Sequence, residues 1–116
     1  MATKFVKRLF PIYLLLGCLS ISSPALATPV TATGTIRQFF LSGLGNYPFR
    51  VYLVVGSSDP LGTCTNAFAY LDISDANYEA MVASLLTAYG QGKQVFLSMD
   101  KDGVTGLCKI SELAII

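Results

Sequence analysis

Between Ser74 and Lys93 the stretch SDANYEAMVASLLTAYGQGK places apolar residues at helical spacing, the one such stretch beyond residue 27. Tyr78, Met81, Val82, Leu85, Leu86 and Tyr89 fall on one stripe, and Asn77, Glu79, Ala80, Ser84 and Thr87 on the opposite face. Ser74 or Asp75 is expected to cap the N-terminus, because a short side-chain oxygen there accepts an orphan backbone N–H. Gly90 and Gly92 are expected to stop the helix, since glycine takes the left-handed conformation of a C-cap. The segments around it alternate in the manner of strands. Gly34 to Ser42, Phe49 to Val55 and Phe68 to Ile73 come before it; Gln94 to Met99 and Leu107 to Ile116 come after. Thr28 to Thr33 reads as a flexible polar lead-in. Turn clusters stand at 43–48, 56–63 and 100–106.

The order is therefore β-β-β-α-β-β. In so short a chain it suits an all-β fold with one helix: a small five-stranded Greek-key barrel of the OB type, with the helix plugging one end. An α+β open sheet with the same order is the alternative.

The first residues bound the compartment. Lys4, Lys7 and Arg8 precede an apolar run, LFPIYLLLGCLSIS, and the small-residue site SPALA. This is the pattern of a secretory signal peptide cut after Ala27, leaving a single domain at 28–116 in the periplasm or outside the cell. The apolar run is short and interrupted by Pro11, so no membrane span is expected. Leu15-Leu16-Gly17-Cys18 also fits a lipobox, and the alternative is a lipoprotein anchored through Cys18. Beyond Ala27, five basic residues (Arg37, Arg50, Lys93, Lys101, Lys109) face seven acids, a net charge of −2. That balance argues against nucleic acid, whose binders displace phosphate counterions with a basic surface.

Cys64 and Cys108 remain as an even pair in an exported chain, which reads as one disulfide. In an OB barrel the third and fifth strands are parallel neighbours. Cys64 precedes the third and Cys108 begins the fifth, so the two fall at the same end, within bridging distance.

The sequence is poor in catalytic chemistry. It has no histidine, and the disulfide takes both thiols of the domain. No catalytic residue, metal or cofactor is expected. Asp72 with Glu112 is the one acid pair that could do acid–base work if brought together. Asp100-Lys101-Asp102-Gly103 departs from a calcium loop, with glycine at the fourth position instead of the sixth, and reads as a hairpin turn. Aromatic residues are more informative. Tyr47, Tyr52 and Tyr70, with Arg50 and Asn66 and with Asn46 and Asp59 in adjacent loops, are the candidate ligand-binding residues. An amphipathic ring can stack on a sugar and also hydrogen-bond it. The apolar ends of strands one and five (Phe39 to Leu41; Leu113 to Ile116) exceed what a small barrel holds inside, and suggest edge pairing or an oligomer interface.

One segment carries a family resemblance. Tyr78, a helical run, Leu86-Thr87-Ala88-Tyr89 and then Gly90-Gln91-Gly92-Lys93-Gln94-Val95 resembles the helix, Gly-Gln turn and following strand of the B subunits of bacterial A–B pentameric toxins, most of all the subtilase-cytotoxin type. The resemblance implies a lectin-like OB-fold module, ring-forming and directed at host glycans, and transfers no glycan-contact residue. The expected function is an exported binding module for a carbohydrate or an exported protein, with a homo-oligomer as one form. The alternative is a structural or accessory envelope protein.

Overall fold

The computed structural model describes residues 26–43 and 47–116. Most of the expected signal peptide, with Cys18, lies outside the described residues, as does Asn46. Five strands and one helix follow in the expected order: β1 (Thr28–Leu41), β2 (Phe49–Val54), β3 (Ala69–Leu71), α1 (Tyr78–Gln91), β4 (Gln94–Lys101) and β5 (Cys108–Ile115). The strands close into a barrel in the order β1-β2-β3-β5-β4, which excludes the open-sheet alternative. All neighbours are antiparallel except β3 and β5.

Strand β1 is longer than its sequence suggests, because Thr28 to Thr33 is not a lead-in. Thr28 to Thr35 pairs with β4, and Thr35 to Leu41 pairs with β2. Small apolar residues, Val30 and Ala32, face inward between outward threonines, so the alternation is present but carries little apolar weight. Gly34 sits where the strand changes partner. A Cβ there would lie 2.9 Å from the Val54 carbonyl oxygen, so the close approach needs glycine.

Beyond that point β1 has a bulge. Ile36 pairs with Leu53 and Gln38 with Tyr52, leaving Arg37 extra. The bulge shifts the side-chain phase by one residue. Ile36 therefore points into the core while Gln38 and Phe40 point out and Phe39 packs inward, so the three residues Ile36, Gln38 and Phe40 do not share a face.

The interior is filled by Phe49, Val51 and Leu53 of β2, Ala69 and Leu71 of β3, and Val95, Leu97 and Met99 of β4. Leu85 and Ala88 of α1 join them, and the loop after β2 adds Leu61, fully buried. Tyr78, Met81, Val82 and Leu86 pack on this core from the helix stripe, while Tyr89 stays exposed.

The helix starts later than its sequence signals suggest. Asn77 occupies the N-cap with φ 60° and makes no side-chain cap. Neither Ser74 nor Asp75 caps the helix. Asp75 is drawn elsewhere: one carboxylate oxygen accepts from the Asp72 N–H at 2.7 Å, and the other lies 2.6 Å from Lys109 Nζ. At the far end Gly92 (φ 65°) is the stop; Gly90 is inside the helix. Gly92 N–H donates to the Tyr89 carbonyl at 3.2 Å and Lys93 N–H to that of Ala88 at 3.0 Å, the two bonds of a Schellman ending.

The parallel contact between β3 and β5 is the shortest in the barrel, Ala69 with Cys108 and Tyr70 with Lys109. The Cys64–Cys108 disulfide closes it, with Cα atoms 5.7 Å apart. Between β4 and β5 the chain turns on Asp102, whose carboxylate accepts from the backbone N–H groups of Val104 (2.9 Å) and Thr105 (2.7 Å) and from the Thr105 hydroxyl (3.0 Å). This is the expected hairpin turn.

Candidate functional site

The outer face of β1, β2 and β3 gathers Phe40, Tyr47, Tyr52 and Tyr70, half of the described aromatic residues that the barrel does not bury. Register dictates the arrangement. Arg50 pairs with Phe40 on one side and with Tyr70 on the other, and Tyr52 pairs with Gln38. Alternation on β2 sends Phe49, Val51 and Leu53 inward, so Arg50 and Tyr52 must face out. Tyr70 does the same between buried Ala69 and Leu71.

The rings touch in a continuous cluster. Tyr47 meets Tyr70 edge to face at 4.6 Å and Phe68 at 6.2 Å. Phe68 also meets Tyr52 at 6.0 Å and Tyr70 at 6.5 Å, and Tyr52 meets Phe40 at 5.8 Å. The Arg50 guanidinium lies over two of these rings, 5.1 Å from the centre of Phe40 and 5.8 Å from that of Phe68. Arg37 covers Tyr52 at 5.3 Å. Arg50 Nε is buried and has no hydrogen-bond partner, an uncompensated donor inside the cluster.

Four of the five residues named from sequence are thus brought together: Tyr47, Tyr52, Tyr70 and Arg50. All four are half-buried against one another instead of fully exposed. The fifth, Asn66, stands on an exposed 3-10 turn (Thr65–Ala67) with φ 61°, and its side chain makes no hydrogen bond among the described residues. Asp59 does not join the site; its carboxylate accepts from the Leu61 N–H at 3.0 Å and holds its own loop.

Three members were missed. Phe68 is the hub of the cluster and only 5 % exposed, although it sits on the outer side of the barrel. Phe40 and Arg37 were hidden by the bulge, which no spacing rule places. A signal for Phe68 does exist in Phe68-Ala69-Tyr70, whose alternation puts two aromatics on one face around a small inward residue.

One flank of the cluster is ionic. Lys109, next to Tyr70 across the parallel contact, lies 2.6 Å from Asp75 and 3.6 Å from Asp72. The hydrogen bond that Lys109 donates to the Asp75 carboxylate holds its ammonium above its ordinary value of 10.5. Burial, and then the charge of Asp72, raises the Tyr70 phenol above its ordinary 10.0. Asp72 is therefore committed to Lys109, while Glu112 is exposed on β5 opposite Ser98. No contact joins the two acids.

These two shifts set a pH dependence. Both folded-state values exceed the unfolded ones, so the unfolded state releases these protons first as the pH rises. Their stabilising contribution is complete below about pH 10 and is lost as the pH climbs through the folded values. The urea midpoint should hold steady from pH 7 to about 9.5 and fall above about 10.5. In Lys109→Met part of that alkaline fall should disappear. An unchanged alkaline limb in the variant would remove the ionic flank from the account.

Among the described residues no helix is long and apolar enough to cross a membrane, and no three histidine, cysteine or acidic residues gather as metal ligands. Comparison with models of known families, with curated proteins and with solved structures finds no match.

Proposed function

We propose that this chain is an exported binding module that takes a glycan on the outer face of β1, β2 and β3. The observation that supports this most is the convergence of Tyr47, Tyr52, Tyr70 and Arg50 around Phe68. Half-buried tyrosines offer both a flat apolar surface for sugar C–H groups and hydroxyls for sugar oxygens. The Arg50 guanidinium, held over Phe40 and Phe68, brings its terminal N–H donors to the same face for a ligand oxygen. In OB barrels the face around strands two and three is the usual ground for oligosaccharides and oligonucleotides, and the net charge favours the former. Export is supported by the leader-like first 27 residues and by the disulfide, a bond that persists in oxidising compartments. Delivery of an enzymatic partner, as in the toxin B subunits the chain resembles, is one use of such a module.

A second reading has its own support. Tyrosine, phenylalanine and arginine are also the residues of protein–protein hot spots, which fits an accessory envelope protein. The test is a glycan array probed with the oxidised protein, with Tyr52→Ala and Arg50→Ala beside it. Binding to a defined group of glycans, weakened about tenfold or more in each variant (about 1.4 kcal/mol), is the expected result. Silence of the folded protein across the array would turn the reading toward a protein partner. Binding that both variants retain would move the site elsewhere.

A further inference from the structure

Beside the aromatic face lies an open cleft of about 640 Å³, between the turn that joins β1 to β2 and the entry to α1. That volume is within the range of about 300–1,000 Å³ found for small-molecule sites. The two surfaces adjoin at three places. Leu41 lines the cleft and follows Phe40, Pro48 lines it and follows Tyr47, and Asp75 lines it and holds Lys109 beside Tyr70. Its walls are of two kinds. Leu41 (60 % exposed) and Ile73 (72 %) offer apolar surface that the core leaves uncovered, next to Pro48 and Tyr78. Asn77 and Glu79 supply the polar groups. The Asn77 side chain makes no cap to its own helix, and neither it nor the Glu79 carboxylate has a hydrogen-bond or ion-pair partner among the described residues. Backbone strain marks the same ground. Among the described residues, positive φ occurs outside glycine at Tyr47 (57°), Asn66 (61°), Ala67 (59°) and Asn77 (60°). Tyr47 belongs to the aromatic cluster, Asn66 and Ala67 lead into its hub Phe68, and Asn77 lines the cleft. Conformations of this kind persist where the surrounding structure holds them, and they collect at ligand sites.

We infer that the ligand surface runs past Tyr47 into this cleft. The ligand is then an oligosaccharide whose further unit, a hydroxyl-rich sugar without an anionic group, lies between Asn77 and Ile73. The inference rests on the glycan reading and adds a second subsite to it. An amide both donates and accepts, and a carboxylate accepts, which suits the hydroxyls of a sugar. The apolar wall and the Tyr78 ring suit its C–H face. The class of sugar follows from charge. Asp75 and Glu79 border the cleft, no described lysine or arginine lines it, and the nearby Lys109 ammonium is taken up by Asp75. An anionic sugar would meet uncompensated repulsion there.

The test is a glycan array on which each glycan is present as a series, from its terminal sugar to the tetrasaccharide. It is probed with the oxidised protein and with Asn77→Gly, Ile73→Ser and Tyr52→Ala. Glycine accepts the positive φ of position 77, and Ile73 is exposed, so both cleft variants should fold. Should one fail, as judged by circular dichroism, the other carries the test. Wild-type binding should strengthen about tenfold or more as the chain lengthens, the gain of a few added hydrogen bonds. Each cleft variant should lose that gain and keep the affinity for the shortest glycans bound, whereas Tyr52→Ala should weaken binding at every length. An affinity that does not change with length, or a gain that both cleft variants retain, would overturn the second subsite and leave the glycan reading in place. Preference for a carboxylated or sulfated unit at the far end would overturn the class of sugar assigned to the cleft. Silence of the wild type across every series would overturn the subsite and the glycan reading together.

Discussion

Replacing Cys64 and Cys108 together by alanine should lower the free energy of unfolding by about 4 kcal/mol, the chain-entropy value for a closed loop of this length. The cross-link spans 44 positions, so its removal frees a large part of the unfolded ensemble. The native state adds a reason for a large effect. The bridge sits at the two-pair parallel contact of β3 and β5, the weakest link in barrel closure. Both cysteines are buried, and alanine avoids placing hydroxyls there. A domain this small has on the order of 5–15 kcal/mol in total, so the variant should be near the limit of folding at body temperature. Urea unfolding of the oxidised protein, the reduced protein and the double variant measures it. Midpoints that coincide would mean that the barrel closes without the cross-link.

Phe68→Ala should cost about 3 kcal/mol, the lower end of the range for a buried phenylalanine, since an outer-face site can partly collapse. Phe68 touches Tyr47, Tyr52 and Tyr70 and lies under Arg50, so the loss reaches the whole candidate site. Its backbone is set by the preceding turn, in which Asn66 and Ala67 both have positive φ between the disulfide and β3. Phe68→Leu keeps most of the volume and should cost about 1 kcal/mol. It should still loosen the tyrosines, seen as a weaker near-ultraviolet dichroism, and reduce binding in step. A Phe68→Ala protein with wild-type stability and an unchanged tyrosine signal would show that the cluster is loose packing and not a built surface.

Much of the candidate site was legible before the structure. Alternation in Phe49 to Val54 requires Arg50 and Tyr52 to share a face once Phe49, Val51 and Leu53 are inside. The order of elements then makes β3 the neighbour of β2, which brings Tyr70 alongside. What escaped was local irregularity. Arg37 is a bulge residue, and one inserted residue reverses the face of everything after it, so Phe40 joined the cluster against the simple two-residue period. Asp75 looked like a helix cap, but the charge of Lys109, 34 positions away in sequence, claimed its carboxylate. Thr28 to Thr33 looked unstructured because threonine and alanine give a faint apolar signal, yet the exposed backbone of β4 recruited it.

The sequence by itself determined the number and order of elements, the helix stripe and the disulfide, while closure of the sheet into a barrel was settled by the strand pairing. Each of these follows from periodicity, or from where two cysteines fall, and such signals are local or pairwise. Only the tertiary structure decided which side of β1 faces out, where the helix begins, and that Phe68 anchors the aromatic face. Those features depend on register, and register is settled by the packing of strands against one another, a sum over contacts that no single stretch of sequence contains.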